Sequence, residues 1–447
     1  MTTVAGNGPG LRVAAINEAI ASRLWPIPLA ATVVAVALGV LVPEVDRVVD
    51  QDLSPTFAAL LFGGGVEAAR AVLSAIAGSV ITVTSLTFSL TVLALQLASS
   101  QGSPRLLRMF AADRMVHATL ATFMGTFAYA LTVLRTVEDA TEGADAFVPR
   151  IAVTVASVAT LTSVVMLTFF LAHLARQLRL ETMMRDAHRE ASRTIDLLWR
   201  ARPRAPASIP PTPRASRDVA ATTSGFLTGV DRAGLIALAR EHDIVVEELC
   251  TIGDSIVAGS PVLRWWHRDT ALTRADAGVD EWLLGRMSLS YEPTPSQDVS
   301  FGIRQIADVA MKALSPGVND PTTAEYAVGH LADLLADIAS RPDLPACWAD
   351  EAGTVRLIPR NPDFRALVDL GLGGVRRYGS GDPRVAARLI RAIGEIGRRT
   401  QGVRQREALF EELAGIERAI ERLGVDDGDL RKCRDLIREV TVSLRDA

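Results

Sequence analysis

The stretch from Ala71 to Pro104 reads AVLSAIAGSVITVTSLTFSLTVLALQLASSQGSP and contains no charged residue. It is longer than the roughly 20 residues that a helix needs to cross a bilayer. At 100° per residue, one face of this helix collects small and polar side chains, namely Gly78, Thr82, Ser85, Ser89, Gln96, Ser99 and Ser103. An aliphatic stripe lies about a quarter-turn away and consists of Leu86, Leu90, Leu93 and Leu97. The pattern predicts a membrane helix with a polar neighbour on one side.

Three more apolar runs are long enough to span a membrane: Trp25 to Val42, Met115 to Leu134 and Ile151 to Leu174. We expect Pro43 and Glu44 to stop the first of them. The sequence therefore predicts four transmembrane helices. The loops after the second and fourth runs are rich in arginine, whereas those after the first and third are acidic, so the positive-inside rule places both termini in the cytoplasm.

Composition agrees with a membrane protein. The chain has 447 residues, of which 49% are hydrophobic, and the apolar excess lies almost entirely before His173. Residues 1–23 lack the compact apolar core of a cleavable signal, so the first helix is expected to act as the insertion signal. The three cysteines are far apart and form no CxxC pair, which predicts neither a disulfide framework nor a metal site. We expect no cofactor and no nucleic-acid partner.

The predicted fold class is a polytopic α-helical membrane protein with a cytoplasmic part made of a small β-rich module and an all-α helical domain. The predicted divisions are a cytoplasmic lead (1–23), the four-helix transmembrane domain (24–178), a helix extension with a Pro/Arg-rich linker (179–222), the β-rich module (223–290) and the helical domain (291–447). Alternating apolar residues and turn signals predict strands at 225–230, 244–249 and 262–266, with a short helix at 232–241.

From Ser296 onward the apolar spacing is helical and predicts about six helices. Three of them are expected to begin at an Asx-Pro pair: Asp320-Pro321, Asn361-Pro362 and Asp382-Pro383. In such a pair the Asx side chain accepts hydrogen bonds from free N–H groups, and proline occupies the first helical position.

The polar face of the second helix supports two interpretations. In one, Thr82, Ser85, Ser89, Gln96, Ser99 and Ser103 line a water-filled path, which requires an oligomer because four helices are too few to enclose a pore. In the other, the hydroxyls bond back to carbonyls one turn earlier or hold helices together. Thr84, Thr87 and Thr91 lie on the opposite face, so part of the hydroxyl enrichment must be structural.

Charged and titratable residues follow near the predicted cytoplasmic side. Arg105 and Arg108 could form the mouth of a pore, or they could anchor the chain to lipid headgroups. His117 and His173 are expected at the same depth, where they could sense pH or simply contact headgroups. Spans two to four contain no acidic or basic residue apart from these histidines at their edges, which disfavours a proton-coupled transporter.

The densest loop motif of the C-terminal half runs from Leu314 to Ala324 (LSPGVNDPTTA). We take Asp298, Arg304, Ser315, Asn319 and Asp320 as candidates for a cytoplasmic ligand or interface loop. Arg304 could bind a phosphate-bearing ligand at the helix that begins near Asp320. Helix capping alone accounts for most of these residues.

Two motifs, SLTFSLT at 85–91 continuing to Pro104-Arg105, and FGIR at 301–304 followed by ALSPGVNDP at 313–321, give the chain a resemblance to known proteins. It resembles a bacterial family of predicted inner-membrane proteins catalogued only as a domain of unknown function. The resemblance implies an inner-membrane protein with four N-terminal spans and a cytoplasmic C-terminal half. It implies no activity.

These observations favour an oligomeric inner-membrane channel with a regulatory cytoplasmic domain, in contact with membrane lipids and permeant ions. The alternative is a membrane-tethered sensor or scaffold whose cytoplasmic domain binds a ligand or a protein. An enzyme acting on lipid is disfavoured, because no nucleophile–base pair or metal-ligand set stands out in the sequence.

Overall fold

The computed structural model describes residues 25–49, 61–101, 113–138, 147–177, 180–200, 210–268, 278–422 and 426–446. Two compact units divide the chain at residue 179, and each is described by itself. The four-helix unit precedes this boundary and the C-terminal unit follows it.

The described residues of the first unit form four helices: α1 (Pro26–Val49), α2 (Val66–Gln101), α3 (Arg114–Leu134) and α4 (Arg150–Gln177). All four are long and apolar enough to cross a membrane, as predicted. The bounds differ from expectation at Pro43, which does not stop the first helix but lies inside α1. In a membrane helix, neighbouring helices and local backbone adjustment compensate for the hydrogen bond that proline removes.

Helix α3 is central in this unit and packs against α1, α2 and α4. The contact with α1 is close at Gly39, where an added Cβ would lie 2.8 Å from Cβ of Thr132. The shared core contains aliphatic and aromatic side chains of all four helices, among them Ala35, Leu73, Phe123, Val133 and Val153.

The C-terminal unit begins with α5 (Leu180–Arg200), which packs against two later helices of the same unit. An α/β part follows. Its elements are β1 (Arg217–Ala220), β2 (Gly225–Val230), α6 (Arg232–Glu241), β3 (Ile244–Glu248), β4 (Ser255–Ile256), β5 (Pro261–His267), α7 (Val279–Leu284) and β6 (Met287–Ser290). The strands form one sheet in the order β4-β2-β6 and contribute to a second, five-stranded sheet.

Nine further elements complete the described part of the unit: α8 (Val299–Ala313), α9 (Pro321–Ala339), β7 (Trp348–Ala349), β8 (Val355–Ile358), α10 (Phe364–Val368), α11 (Gly374–Gly379), α12 (Pro383–Gly397), α13 (Val403–Arg422) and α14 (Asp427–Asp446). A π-helical turn, Asp369–Gly373, joins α10 to α11. The five-stranded sheet has the order β1-β5-β3-β8-β7, and β3 and β8 are parallel. β1, β7 and β8 thus lie outside the range 223–290 that the sequence indicates for the β-rich module.

Two of the three Asx-Pro helix starts are confirmed. Asp320 and Asp382 each accept backbone N–H bonds at the start of α9 and α12. The third prediction is wrong, because α10 begins at Phe364 and Asn361 Nδ2 donates instead to the carbonyl of Pro345 at 2.9 Å. The side chain of Asn361 therefore forms a tertiary hydrogen bond and does not cap a helix.

Candidate functional site

The polar face of α2 points away from the chain's own helix bundle. Five of the residues predicted to share this face are exposed in the single chain: Gly78, Thr82, Ser85, Ser89 and Gln96. The helix has 36 residues, so at 1.5 Å per residue it extends about 54 Å, well beyond the ~30 Å bilayer core. Because its side chains are exposed in the single chain, this face is free to meet lipid, water or another copy of the chain.

Hydroxyls on the exposed face are partly satisfied within the helix. Thr82 Oγ1 donates to the Gly78 carbonyl at 2.8 Å, and Ser89 Oγ donates to the Ser85 carbonyl at 2.9 Å. Such bonds allow a hydroxyl to face an apolar neighbour at little cost, while the oxygen keeps a lone pair for a second partner. Gln96 carries an exposed amide, which is costly to leave without partners in lipid.

The opposite face of α2 packs inside the unit. Thr84, Thr87 and Thr91 are buried there, with Thr84 Oγ1 bonded to the Val80 carbonyl at 2.6 Å and Thr91 Oγ1 to the Thr87 carbonyl at 2.8 Å. The buried Thr87 Oγ1 has no hydrogen-bond partner among the described residues. Hydroxyl groups thus occupy two faces with different surroundings.

Several predicted pore residues cannot be placed. Ser99 belongs to α2, but its side chain is not among those described, and Ser103, Arg105 and Arg108 lie outside the described residues. Their assignment to a pore or its mouth stays a prediction.

The two candidate histidines both lie beside Asp113, the residue that caps α3. The Asp113 carboxylate accepts hydrogen bonds from the backbone N–H of Met115 and Val116, and its Oδ2 lies 2.7 Å from Nε2 of His173 on α4. His117 lies in the first turn of α3 and is buried, and its Nε2 has no hydrogen-bond partner within the described part of the chain. Asp113 is not among the residues singled out from the sequence; its position directly before the apolar run of α3 was the available signal for a cap.

Asp46 is a buried carboxylate near the C-terminus of α1 that the sequence did not single out. Its two oxygens accept hydrogen bonds from the backbone N–H groups of Ile151 at 3.0 Å and Ala152 at 2.9 Å, so it caps α4 from another helix. The partners are more than 100 residues away in sequence, and no local pattern could have revealed them.

The five candidate residues of the C-terminal half do not converge on one site. Asp298 caps the N-terminus of α8, whereas Ser315, Asn319 and Asp320 follow its C-terminus. The 15 residues of α8 separate the two groups by about 22 Å. Ser315 Oγ donates to the Lys312 carbonyl, and Asn319 adopts a positive φ of 50°, so both residues shape the turn between α8 and α9.

The two capping aspartates differ in electrostatics. Burial raises the pKa of Asp298 to about 6, against the opposing effects of the Ser300 N–H and the Arg304 charge. Hydrogen bonds from the hydroxyl and backbone N–H of Thr323 lower the pKa of Asp320. The cavity beside Asp298 measures about 20 Å³, enough for one water molecule but not for an organic ligand.

A larger cavity, of about 350 Å³, lies between α5, α9 and α12. It is lined by charged, aromatic and thioether side chains.

Groups of three or more His, Cys, Asp or Glu side chains arranged to hold a metal ion are absent from the described residues.

Four apolar helices followed by a mixed sheet-and-helix unit define a polytopic membrane protein with a large C-terminal extramembrane part. The chain belongs to the family described as predicted membrane protein (DUF2254), which matches residues 21–395. It is similar to the uncharacterized proteins Mb1321c of Mycobacterium bovis and Rv1290c of Mycobacterium tuberculosis. Each is 34% identical to it over 374 residues, covering 83% of this chain and 71% of the relative. No solved structure matches it.

Proposed function

We propose that the chain assembles in the bacterial inner membrane as a homo-oligomer, with α2 of each copy near a shared axis, and that this assembly conducts small ions. Thr82, Ser85, Ser89 and Gln96 would line the path, with Ser99 and Ser103 continuing the same helical face. In this proposal both termini face the cytoplasm, the C-terminal unit regulates the path, and the chain catalyses no reaction.

The observation that carries the proposal is the exposure of the polar face of α2 in the single chain. Had these side chains been packed against α3 or α4, they would be helix-packing residues of one protomer. Because they point outward, a second copy can meet them. Neutral hydroxyl and amide dipoles can replace part of the hydration shell of an ion without trapping it, as conduction requires.

Single-channel recording tests conduction directly. The purified full chain is expected to give discrete current steps in planar bilayers. A chain with Ser85→Cys in a cysteine-free background (Cys250→Ser, Cys347→Ser, Cys433→Ser) should lose current when a charged, water-soluble thiol reagent is added. The matched control is Leu86→Cys, an exposed neighbour about 100° around the helix, which should be insensitive because it faces lipid.

Absence of current across salts and pH values would overturn the conduction proposal, as would equal sensitivity of the Ser85→Cys and Leu86→Cys chains.

A tethered sensor is the second candidate function, and the cavity between α5, α9 and α12 is the observation that favours it. Ligand binding by a silent full-length protein would support the sensor.

A further inference from the structure

Two carboxylates on the wall of the cavity between α5, α9 and α12 have no counter-ion within the described part of the chain. Glu181 of α5 and Glu325 of α9 line this cavity, and neither forms an ion pair with any residue that the structure describes. Surface glutamates usually need no partner, but here the two lie on the wall of a single concave site of ligand-binding size. They give this wall an excess of negative charge.

Arg388, which also lines the wall, does not cancel that charge. Arg388 of α12 donates from Nη1 and Nη2 to the two carboxylate oxygens of Glu395, at 3.2 and 3.0 Å. A bidentate pair of this kind holds the guanidinium in place and neutralises it. The Arg388–Glu395 pair therefore adds no net charge, and the carboxylates of Glu181 and Glu325 leave the wall negative at neutral pH.

His330 is also expected to be neutral at this pH. Burial lowers the pKa of His330, and the adjacent His188, whose ring centroid is 5.1 Å away, lowers it further, against the opposing charge of Asp333. A neutral imidazole does not repel a cation and can accept a hydrogen bond from it.

The remaining walls suit the apolar part of an organic cation. Met184 is buried at the cavity wall, and Tyr326, which also lines the cavity, is 55% exposed. A tyrosine ring attracts ammonium groups through its π face, and a thioether packs against methylene groups.

We propose that this cavity binds a small organic cation carrying one or two ammonium groups, which are held by Glu181, Glu325 and the ring of Tyr326. The cavity volume, about 350 Å³, lies at the lower end of the range typical of small-molecule sites. The proposal gives the sensor function its ligand class, and it holds whether or not α2 conducts ions.

Isothermal titration calorimetry of the full chain in nanodiscs of zwitterionic lipid tests this, with putrescine as the probe and empty nanodiscs as the blank. We expect saturable binding of putrescine and none of succinate, which has similar size and the opposite charge. The double variant Glu181→Gln/Glu325→Gln, which keeps the side-chain shape, should weaken binding at least about tenfold.

Glu351→Gln is the matched control, because Glu351 is 96% exposed and lies outside the cavity; it should bind putrescine like the wild type. A second variant, Tyr326→Leu, should weaken binding about threefold through loss of the ring. Failure of the wild type to bind putrescine would overturn the proposal. So would a folded double variant, verified by circular dichroism, that binds as tightly as the wild type. Neither result depends on single-channel activity, so this proposal and the conduction proposal can fail separately.

Discussion

The two faces of α2 contain the same hydroxyl-bearing residues but have different surroundings. On one face, Thr84 and Thr91 are buried against neighbouring helices; on the other, Thr82 and Ser89 are exposed. On both faces these hydroxyls donate to a carbonyl one turn earlier. Residue type and local hydrogen bonding therefore do not distinguish a packing face from an outward face. Only the position of a residue around the helix distinguishes the two faces. Matched substitutions on the two faces can test this distinction.

A lysine on each face should give the largest difference. Val80 is 5% exposed on the packed face, so Val80→Lys would bury an unpaired ammonium and destabilise the four-helix unit by at least about 3 kcal/mol. Ser85→Lys should leave the fold intact, because its side chain can extend away from the bundle. Yield and unfolding in mixed micelles measure both effects, and equal loss of fold in the two variants would abolish the distinction between the faces.

The same contrast between buried and solvated polar groups occurs in the C-terminal unit, at Asp298 and Asp320. Folding raises the pKa of Asp298 from 3.8 to about 6. Between these two pH values the folded state binds a proton at Asp298 that the unfolded state does not bind. The folded state therefore becomes more stable as the pH falls through this window. Asp298→Asn, which keeps a capping side chain, should therefore stabilise the unit by about 2 kcal/mol at pH 8.

Asp320 should behave in the opposite way. Folding lowers its pKa, so its stabilising effect is present at neutral pH and is lost as the pH falls below 3.8. Asp320→Asn should therefore destabilise the unit at pH 8. Thermal unfolding of the two variants between about pH 2.5 and 8 checks both signs, and a destabilised Asp298→Asn chain at pH 8 would contradict the burial argument.

Chemical labelling should show a smaller difference between the faces of α2. In a cysteine-free background, Ser89→Cys should react with a water-soluble maleimide at least about tenfold faster than Thr91→Cys, because thiolate formation needs water. The measurement is the labelling rate in intact membranes. If both positions react slowly, the outward face meets lipid or a dry interface, and the water-lined path is excluded.

How far the sequence predicts this molecule depends on the distance between interacting residues. Apolar runs predict all four long helices, and local capping predicts the starts of α9 and α12. What was missed depends on partners far away in sequence, such as the capping of α4 by Asp46 and the pairing of β8 with β3. The helical face of Thr82 and Ser89 was predictable from the 3.6-residue period, but its exposure was not, because exposure depends on where α3 and α4 pack.

The smallest expected effect concerns Thr87, the buried threonine of α2 whose hydroxyl has no partner among the described residues. Thr87→Val has nearly the same shape and removes a buried polar group that forms no bond, so it should stabilise the four-helix unit by about 1 kcal/mol. Thr84→Val, on the same face, loses the 2.6 Å bond to the Val80 carbonyl and should destabilise it by about 0.6 kcal/mol. Unfolding in mixed micelles can resolve opposite signs even when the magnitudes are small. Destabilisation by Thr87→Val would mean that its hydroxyl binds water or another group in the assembled protein, and the packed face would then be less dry than its burial indicates.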